Sequence, residues 1–162
     1  METIVINGDG TQTNERTGKT LPPRPGAHHI YDAGADLWID TKTLEGTRIS
    51  TWARIKLARE AAELSDFTCA GLRYQADKAR ITGAAHMALL AQVAGLPYSI
   101  DWTLSDNTTV ALDAAGMIAV GAALVAQVSG AFVIARGLRE LIAAAATIEQ
   151  LDSIVWPATE AA

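Results

Sequence analysis

Three histidines and one cysteine are the side chains of this chain best suited to hold a metal or to act as base or nucleophile. His28 and His29 are adjacent, and neighbouring residues of a strand point to opposite faces, so the two do not readily chelate one ion. His86 stands far away inside a helical pattern. The expectation is exposed imidazoles on a hairpin edge, at an interface, and no metal. Asn7-Gly8-Asp9-Gly10 has some character of a calcium loop, but it lacks the alternating oxygen donors and the later acidic ligand, so it reads as a turn. Glu60 and Glu63 lie three apart and could pair as acid and base. With no apolar pocket to separate their pKa values, they are expected to be solvated surface charges. The chain has no Gly-x-Ser-x-Gly elbow, glycine-rich phosphate loop or His-Glu-x-x-His helix. No catalytic, metal-binding or cofactor-binding residue is predicted, and a non-enzymatic role is expected.

Four tryptophans, Trp38, Trp52, Trp102 and Trp156, could stack against sugars, but tryptophan more commonly anchors a core or an interface. Trp102 and Trp156 are predicted to be core residues. Trp38 and Tyr31 sit on a thin segment with little to bury them. Together with His28 and His29 they form the candidate partner interface, with glycan binding as the alternative use.

Composition narrows the class. At 162 residues, with 49% hydrophobic and 19% charged residues, the chain suits one globular domain with an appendage. A net charge of −5 argues against nucleic acid as partner. The basic cluster Arg48, Arg54, Lys56 and Arg59 is interleaved with apolar residues and reads as the wet face of an amphipathic helix. The lone Cys69 cannot form an internal disulfide; it is expected to be a small core residue of a protein made in a reducing cytoplasm. The N-terminus has neither the basic start nor the apolar run of a signal peptide. The apolar window Ala114–Ala146 is interrupted by Gln127, Ser129, Arg136, Arg139 and Glu140. A bilayer span needs about 20 predominantly apolar residues, so a core helix is expected and no membrane insertion.

The elements that would position these residues fall into two unequal parts. Residues 1–49 read as an extended arm: a β-branched run Ile4-Val5-Ile6, a polar stretch Thr11–Thr20, a proline-rich spacer Leu21–Gly26, and a hairpin of His28–Tyr31 with Leu37–Ile39. Two strands alone bury too little to be stable, so the arm must lean on the main domain, another copy or a partner. Residues 50–157 read as an α+β domain: a small antiparallel sheet of two hairpins packed with three to four helices, one of them long and C-terminal. Ser50 or Thr51 would cap a helix to Leu64, with Trp52, Ile55, Leu57 and Ala61 inward. Phe67–Cys69 and Leu72–Tyr74 bracket Ala70-Gly71 as a hairpin. Asp77 caps a helix to about Ala94, with Ile81, Ala84, Ala85, Leu89 and Val93 inward. Tyr98, Ile100, Trp102 and Leu104 alternate in a strand that turns at Ser105-Asp106-Asn107 and returns along Thr109–Leu112. Asp113 caps a helix of about 30 residues with the stripe Met117, Val120, Leu124, Val128, Phe132, Ala135, Leu138 and Ile142. Thr147-Ile148-Glu149-Gln150 is a capping box for a short helix carrying Leu151 and Ile154. Residues 158–162 are expected to be a disordered tail.

Several of these segments, in this order, resemble a known family. They are Ala58-Arg59-Glu60, Phe67 to Asp77, Ile81-Thr82-Gly83-Ala84, Ile100 to Asn107, Val110 to Ala114 and Ala135-Arg136. Over about residues 53–155 the chain is similar to a phage and prophage domain of unknown function found in tail-fibre and tail-fibre-assembly proteins. The Trp-Thr-x-x-Asp-Asn hairpin followed by Val-x-Leu-Asp-Ala is the most specific piece. The family has no enzymatic residues to transfer, and Gly71, Trp102, Asp106 and Asn107 have structural roles as turn and core positions. The resemblance implies a virion protein of the tail, made in the host cytoplasm. It would be a structural part of a fibre or distal tail/baseplate complex that binds tail-fibre or receptor-binding proteins, in a homo- or hetero-oligomer whose default is trimeric. The alternative is a fibre-assembly chaperone; a glycan-binding or cell-wall-degrading tail protein is more remote.

Overall fold

The computed structural model describes residues 4–8, 11–15, 17–32, 34–35 and 37–158, the Ile6 side chain apart. Asp9 and Gly10 of the expected first turn, Ala33 and Asp36 of the expected hairpin loop, and residues 159–162 of the expected tail lie outside these described residues. The chain divides into two compact units, Met1–Thr47 and Arg48–Ala162.

In the first unit, β1 (Ile4–Ile6), β2 (Gln12–Asn14) and β3 (Thr20–Leu21) form an antiparallel three-stranded sheet in the order β1-β2-β3. The stretch Thr11–Thr20, expected only as a polar run, therefore holds β2 and leads into β3 at Thr20. Asn14 is the residue that turns it. Its carbonyl accepts from Gly18 N–H at 2.8 Å and its side-chain oxygen from Thr17 N–H at 3.2 Å, while Gly18 takes φ +66°. This self-satisfied polar turn lets Asn14 be 2% exposed. The expected hairpin pairs β4 (His29–Asp32) with β5 (Leu37–Asp40), and its register places Tyr31 opposite Trp38. The proline spacer is tied to this hairpin: Trp38 Nε1 donates to Pro22 O at 2.9 Å and Arg24 Nε to His29 O at 2.8 Å.

Helix α1 (Leu44–Glu63) starts six residues before the expected cap at Ser50. Thr43 does the capping: its Oγ1 accepts from Gly46 N–H at 3.1 Å, three residues on. The inward face is also not the one expected. Thr51, Ile55 and Glu63 are buried, four and then eight residues apart on one face, whereas Leu57 is 68% exposed and Ala61 lies in water.

The rest of the second unit follows the expected order. Strands β6 (Phe67–Cys69) and β7 (Leu72–Tyr74) are joined by Ala70 and Gly71 at φ +50° and +77°, the two positive values a tight two-residue hairpin requires. Helix α2 (Lys78–Ala94) is capped by Asp77, which accepts from Arg80 N–H, and closed by Gly95 in the left-handed region. Strands β8 (Ser99–Thr103) and β9 (Thr109–Asp113) pair Ile100 with Leu112 and Trp102 with Val110. Helix α3 (Ala114–Ala144) is capped by Asp113 and runs 31 residues; α4 (Ile148–Ser153) carries the full Thr147–Gln150 capping box. The fold is thus α+β, with its two hairpins as separate ribbons. Ser105 links them by donating from N and Oγ to Arg73 O, both at 3.1 Å.

The spine is α3. On its first half Met117, Val120 and Leu124 join Phe67, Tyr74, Ile81, Ala88, Trp102, Leu104 and Leu112 in one core. Each large side chain buried there contributes about 1.5–3 kcal/mol relative to leaving it in water. Along the second half, Ala131, Ala135 and Ile142 are buried beyond that core. There α1 runs antiparallel to α3: Gln127 reaches Ala62 O, Arg59 covers Phe132, Arg139 covers Trp52, and Arg48 reaches Ala145 O. By length and composition α3 is also apolar enough to cross a membrane.

Candidate interaction surfaces

The carboxylate pair on α1 does not separate into acid and base. Glu60 is exposed, but Glu63 is 8% exposed and not the solvated charge expected. Lys78 Nζ donates to its Oε2 at 2.5 Å, and Arg59 Nε faces Oε1 at 2.9 Å without hydrogen-bond alignment. Arg59 also lies 4.7 Å above the Phe132 ring. Glu63 therefore clamps α1 to the start of α2 beside α3. The basic cluster is likewise not simply a wet face: Arg48 and Arg54 donate to Ala145 O and Ile154 O at 2.7 and 2.8 Å. These are carbonyls at helix ends, where a cation also opposes the negative pole of the dipole. Only Lys56 and, in part, Arg54 face water as expected.

Elsewhere the reactive types stay dispersed. Cys69 is half-buried, and burial pushes the Tyr74 phenol up, with the Cys69 thiol adding to it. Asp106 is held below the usual carboxylate range by the Thr108 hydroxyl and then the Thr108 N–H, at 2.7 and 2.9 Å. These bonds close the β8–β9 turn, where Asn107 takes φ +66°. His86 is exposed on α2, and among the described residues no group of three or more His, Cys, Asp or Glu could hold a metal ion.

The candidate partner residues are brought together in part. Tyr31 and Trp38 meet edge-to-face with centroids 5.5 Å apart. With Arg24, His29, Gln12 and Ile4 they line an open cleft of about 360 Å³. His28 lies outside it, exposed, on the turn that enters β4. Of the structural residues, Trp102 is 2% exposed in the core with Arg80 4.2 Å above its ring. Trp156 is not the core residue expected. It is half-buried, outside the main core, in the wall of a groove it shares with Ala62, Gln127, Gly130 and Ile134. Gln127 shapes that groove by donating to Ser65 O at 2.7 Å.

The largest surface missed by helical spacing is on α2. Leu89 and Val93, expected inward, are 47% and 80% exposed, beside Met87 and Leu90 at 59% and 50%. The inner edge keeps Ile81, Ala84 and Ala85 as expected, with Ala88 in place of Leu89 and Val93. The reason is the closeness of α3. A Cβ on Gly121 would stand 2.7 Å from Ala85 Cβ, so only small side chains fit the seam. On α3, Phe132 is 42% exposed under Arg59, and Ala131 takes its place inside. Leu138, Leu141, Ala145, Ile154 and Val155 line a further apolar groove of about 470 Å³ at the helix end.

These features define a class: an α+β domain built on one long helix, with a small β unit before it. Within that class the chain belongs to the family described as Domain of unknown function (DUF4376), which matches residues 47–155. No curated protein and no solved structure matches it.

Proposed function

We propose that this protein is a non-enzymatic component of a bacteriophage tail, a subunit of a tail fibre or of a distal tail or baseplate complex. Its first unit grips a neighbouring tail-fibre or receptor-binding protein, and its second unit packs within an oligomer, trimeric in the setting the resemblance suggests. The observation that carries this reading is how little the first unit encloses. Of its described hydrophobic side chains only Leu21 is buried, while Val5, Ile30, Leu37 and Ile39 are 39–56% exposed. A β unit with one buried apolar residue among those described is stabilised by being covered. The aromatic pair Tyr31–Trp38 offers a rigid anchor of the kind that dominates interface energies. The tail assignment itself comes from the resemblance carried by the motifs from Phe67 to Asp77 and Trp102 to Asp113; the family model that covers them is one of unknown function.

Mass spectrometry of purified virions tests the proposal. Peptides of this chain are expected in the particles. Their absence from particles, with the protein present in the producing cytoplasm, would overturn the structural role in favour of an assembly chaperone.

A further inference from the structure

Arg24 carries a cation that is held in place and left unanswered. Its Nε donates to His29 O at 2.8 Å and its Nη2 to Ala27 O at 2.6 Å, which fixes the guanidinium where the proline spacer enters β4. A guanidinium has five N–H groups, and those not bonded here meet no carboxylate among the described residues. Arg24 borders the open cleft of about 360 Å³, whose walls are the Ile4 and Gln12 side of the β1–β2 pair and the His29, Tyr31 and Trp38 face of the hairpin. No Asp or Glu lines it, although residues 1–47 hold seven acids against four Lys and Arg. Asp32 and Asp40, which end the two hairpin strands, are engaged elsewhere: Asp32 accepts from Gly34 and Ala35 N–H, and Asp40 from Lys42 N–H. Within an acidic unit, an acid-free cleft with one fixed cation is where an anion is favoured. Gln12 adds an amide with no partner among the described residues, and His29 a buried Nδ1 with none.

We propose that this cleft receives an acidic side chain of the neighbouring protein, with an apolar residue next to it in an extended segment. Three features select that occupant. The volume admits a side chain or two but not a helix, which is about 10–12 Å across. One arginine matches one carboxylate, in the planar two-point geometry a guanidinium favours, whereas a phosphate carries up to about twice that charge. The rest of the lining is the Tyr31–Trp38 pair with Ile4 and Ile30, a surface for an apolar side chain that leaves only Gln12 and His29 to meet the many hydroxyls of a sugar. Arg24 is also prepared for this role. Its side chain is already tied down before a partner arrives, so binding costs less conformational entropy. The inference rests on the proposed gripping role of the first unit and names what the gripped neighbour must present.

NMR titration of the isotope-labelled full chain reads the outcome, with acetyl-Phe-Glu-amide and acetyl-Phe-Gln-amide as probes. The Glu peptide is expected to shift the Trp38 Nε1–H and Arg24 Nε–H signals at millimolar concentration. It should bind about tenfold more tightly than the Gln peptide, the difference made by a hydrogen bond to a charged group. Arg24→Gln should remove that preference, and Lys56→Gln on the exposed side of α1 should leave it intact. The comparison of the two peptides on the wild type needs no variant, so it decides the matter even if Arg24→Gln disturbs the first unit. No shift of these signals, or equal affinity for the two peptides, overturns the proposal. Sodium glucuronate binding more tightly than the Glu peptide would assign the cleft to a sugar acid and overturn it too. Selectivity for the Glu peptide in a chain absent from virions would uphold the chemistry of the cleft and remove the structural tail role. A chain present in virions but without selectivity would do the reverse.

Discussion

Gly121→Ala is the perturbation that most sharply probes how α2 and α3 are held together. Alanine in a helix interior is favoured over glycine by about 0.5–1 kcal/mol, so propensity alone makes the variant more stable. The packing opposes this. The new methyl would stand 2.7 Å from Ala85 Cβ, where ordinary contacts lie at 3.4–4 Å, and both atoms are fixed directly to helix backbones. Neither can rotate away, so the helices must separate, and overpacking of this kind costs about 1–3 kcal/mol. The expected net loss for Gly121→Ala is about 1–2 kcal/mol, or roughly 2–8 °C in melting temperature for a protein of this size. Ala85→Gly alone should lose about 1 kcal/mol through propensity and a lost methyl contact. In the double variant the propensity changes cancel and one methyl again fills the seam, so stability should return close to wild type. The coupling between the two positions is then about 2–3 kcal/mol, well above the additivity error of roughly 0.5 kcal/mol. Urea denaturation of the four full-length proteins measures it. A Gly121→Ala variant as stable as wild type, with no coupling to position 85, would refute the close crossing and the explanation of why α2 turns its large residues outward.

Three further outcomes follow from the same geometry. Glu63→Ala should cost about 1–3 kcal/mol in urea denaturation, because it strands Arg59 beside a buried site; Lys78→Ala should cost less than about 1 kcal/mol, since Lys78 is 40% exposed. Equal and negligible losses would show that the clamp is not formed. Asp106 has a depressed pKa, so the bonds of its ionised form stabilise the turn above the ordinary carboxylate pKa of about 3.9 and are lost as pH falls through the lowered value. An NMR titration should place the Asp106 midpoint below that of a free aspartate, and Thr108→Val should move it upward; an unchanged midpoint would exclude the Thr108 hydroxyl as the main cause. Under the proposed role, Trp38→Ala should weaken binding to a neighbouring tail protein by about 2 kcal/mol, roughly 30-fold by calorimetry, while the helical melting transition stays where it is. A large fall in that transition would make the first unit part of the helical core.

The elements fixed by local chemistry could be read before any coordinates. Asp77, Asp113 and Thr147 cap the helices predicted for them, because a side-chain oxygen two or three residues ahead of free amides is a local arrangement. Alternation in β8 and the positive φ of Gly71 are local in the same sense. What escaped depends on distant neighbours. Arg48 and Arg54 find their carbonyls 97 and 100 residues away, and Glu63 finds Lys78 15 residues on, so nothing near them in sequence signals burial. On α2 the spacing places Ile81, Ala84 and Ala85 inward as found, but Leu89 and Val93 turn outward because the close approach at Gly121 leaves room beside Ala85 only for small side chains such as Ala88. The helix is capped at Thr43 rather than at Ser50, although the apolar pattern that marks it in the sequence is strong only from Ser50 onward. In the candidate interface, the hairpin and its two aromatic residues were legible from the sequence, but the Tyr31–Trp38 register and the contribution of Arg24 and the proline spacer were not, since these arise from strand pairing and from side chains reaching back across a loop.

Gold labelling of negatively stained particles from the strain that encodes this chain addresses the central assignment most directly, using an antibody against the second unit. Label concentrated at the tail or its fibres is the result expected of a structural tail subunit. Particles that carry no label, or carry it on the head, would contradict that assignment.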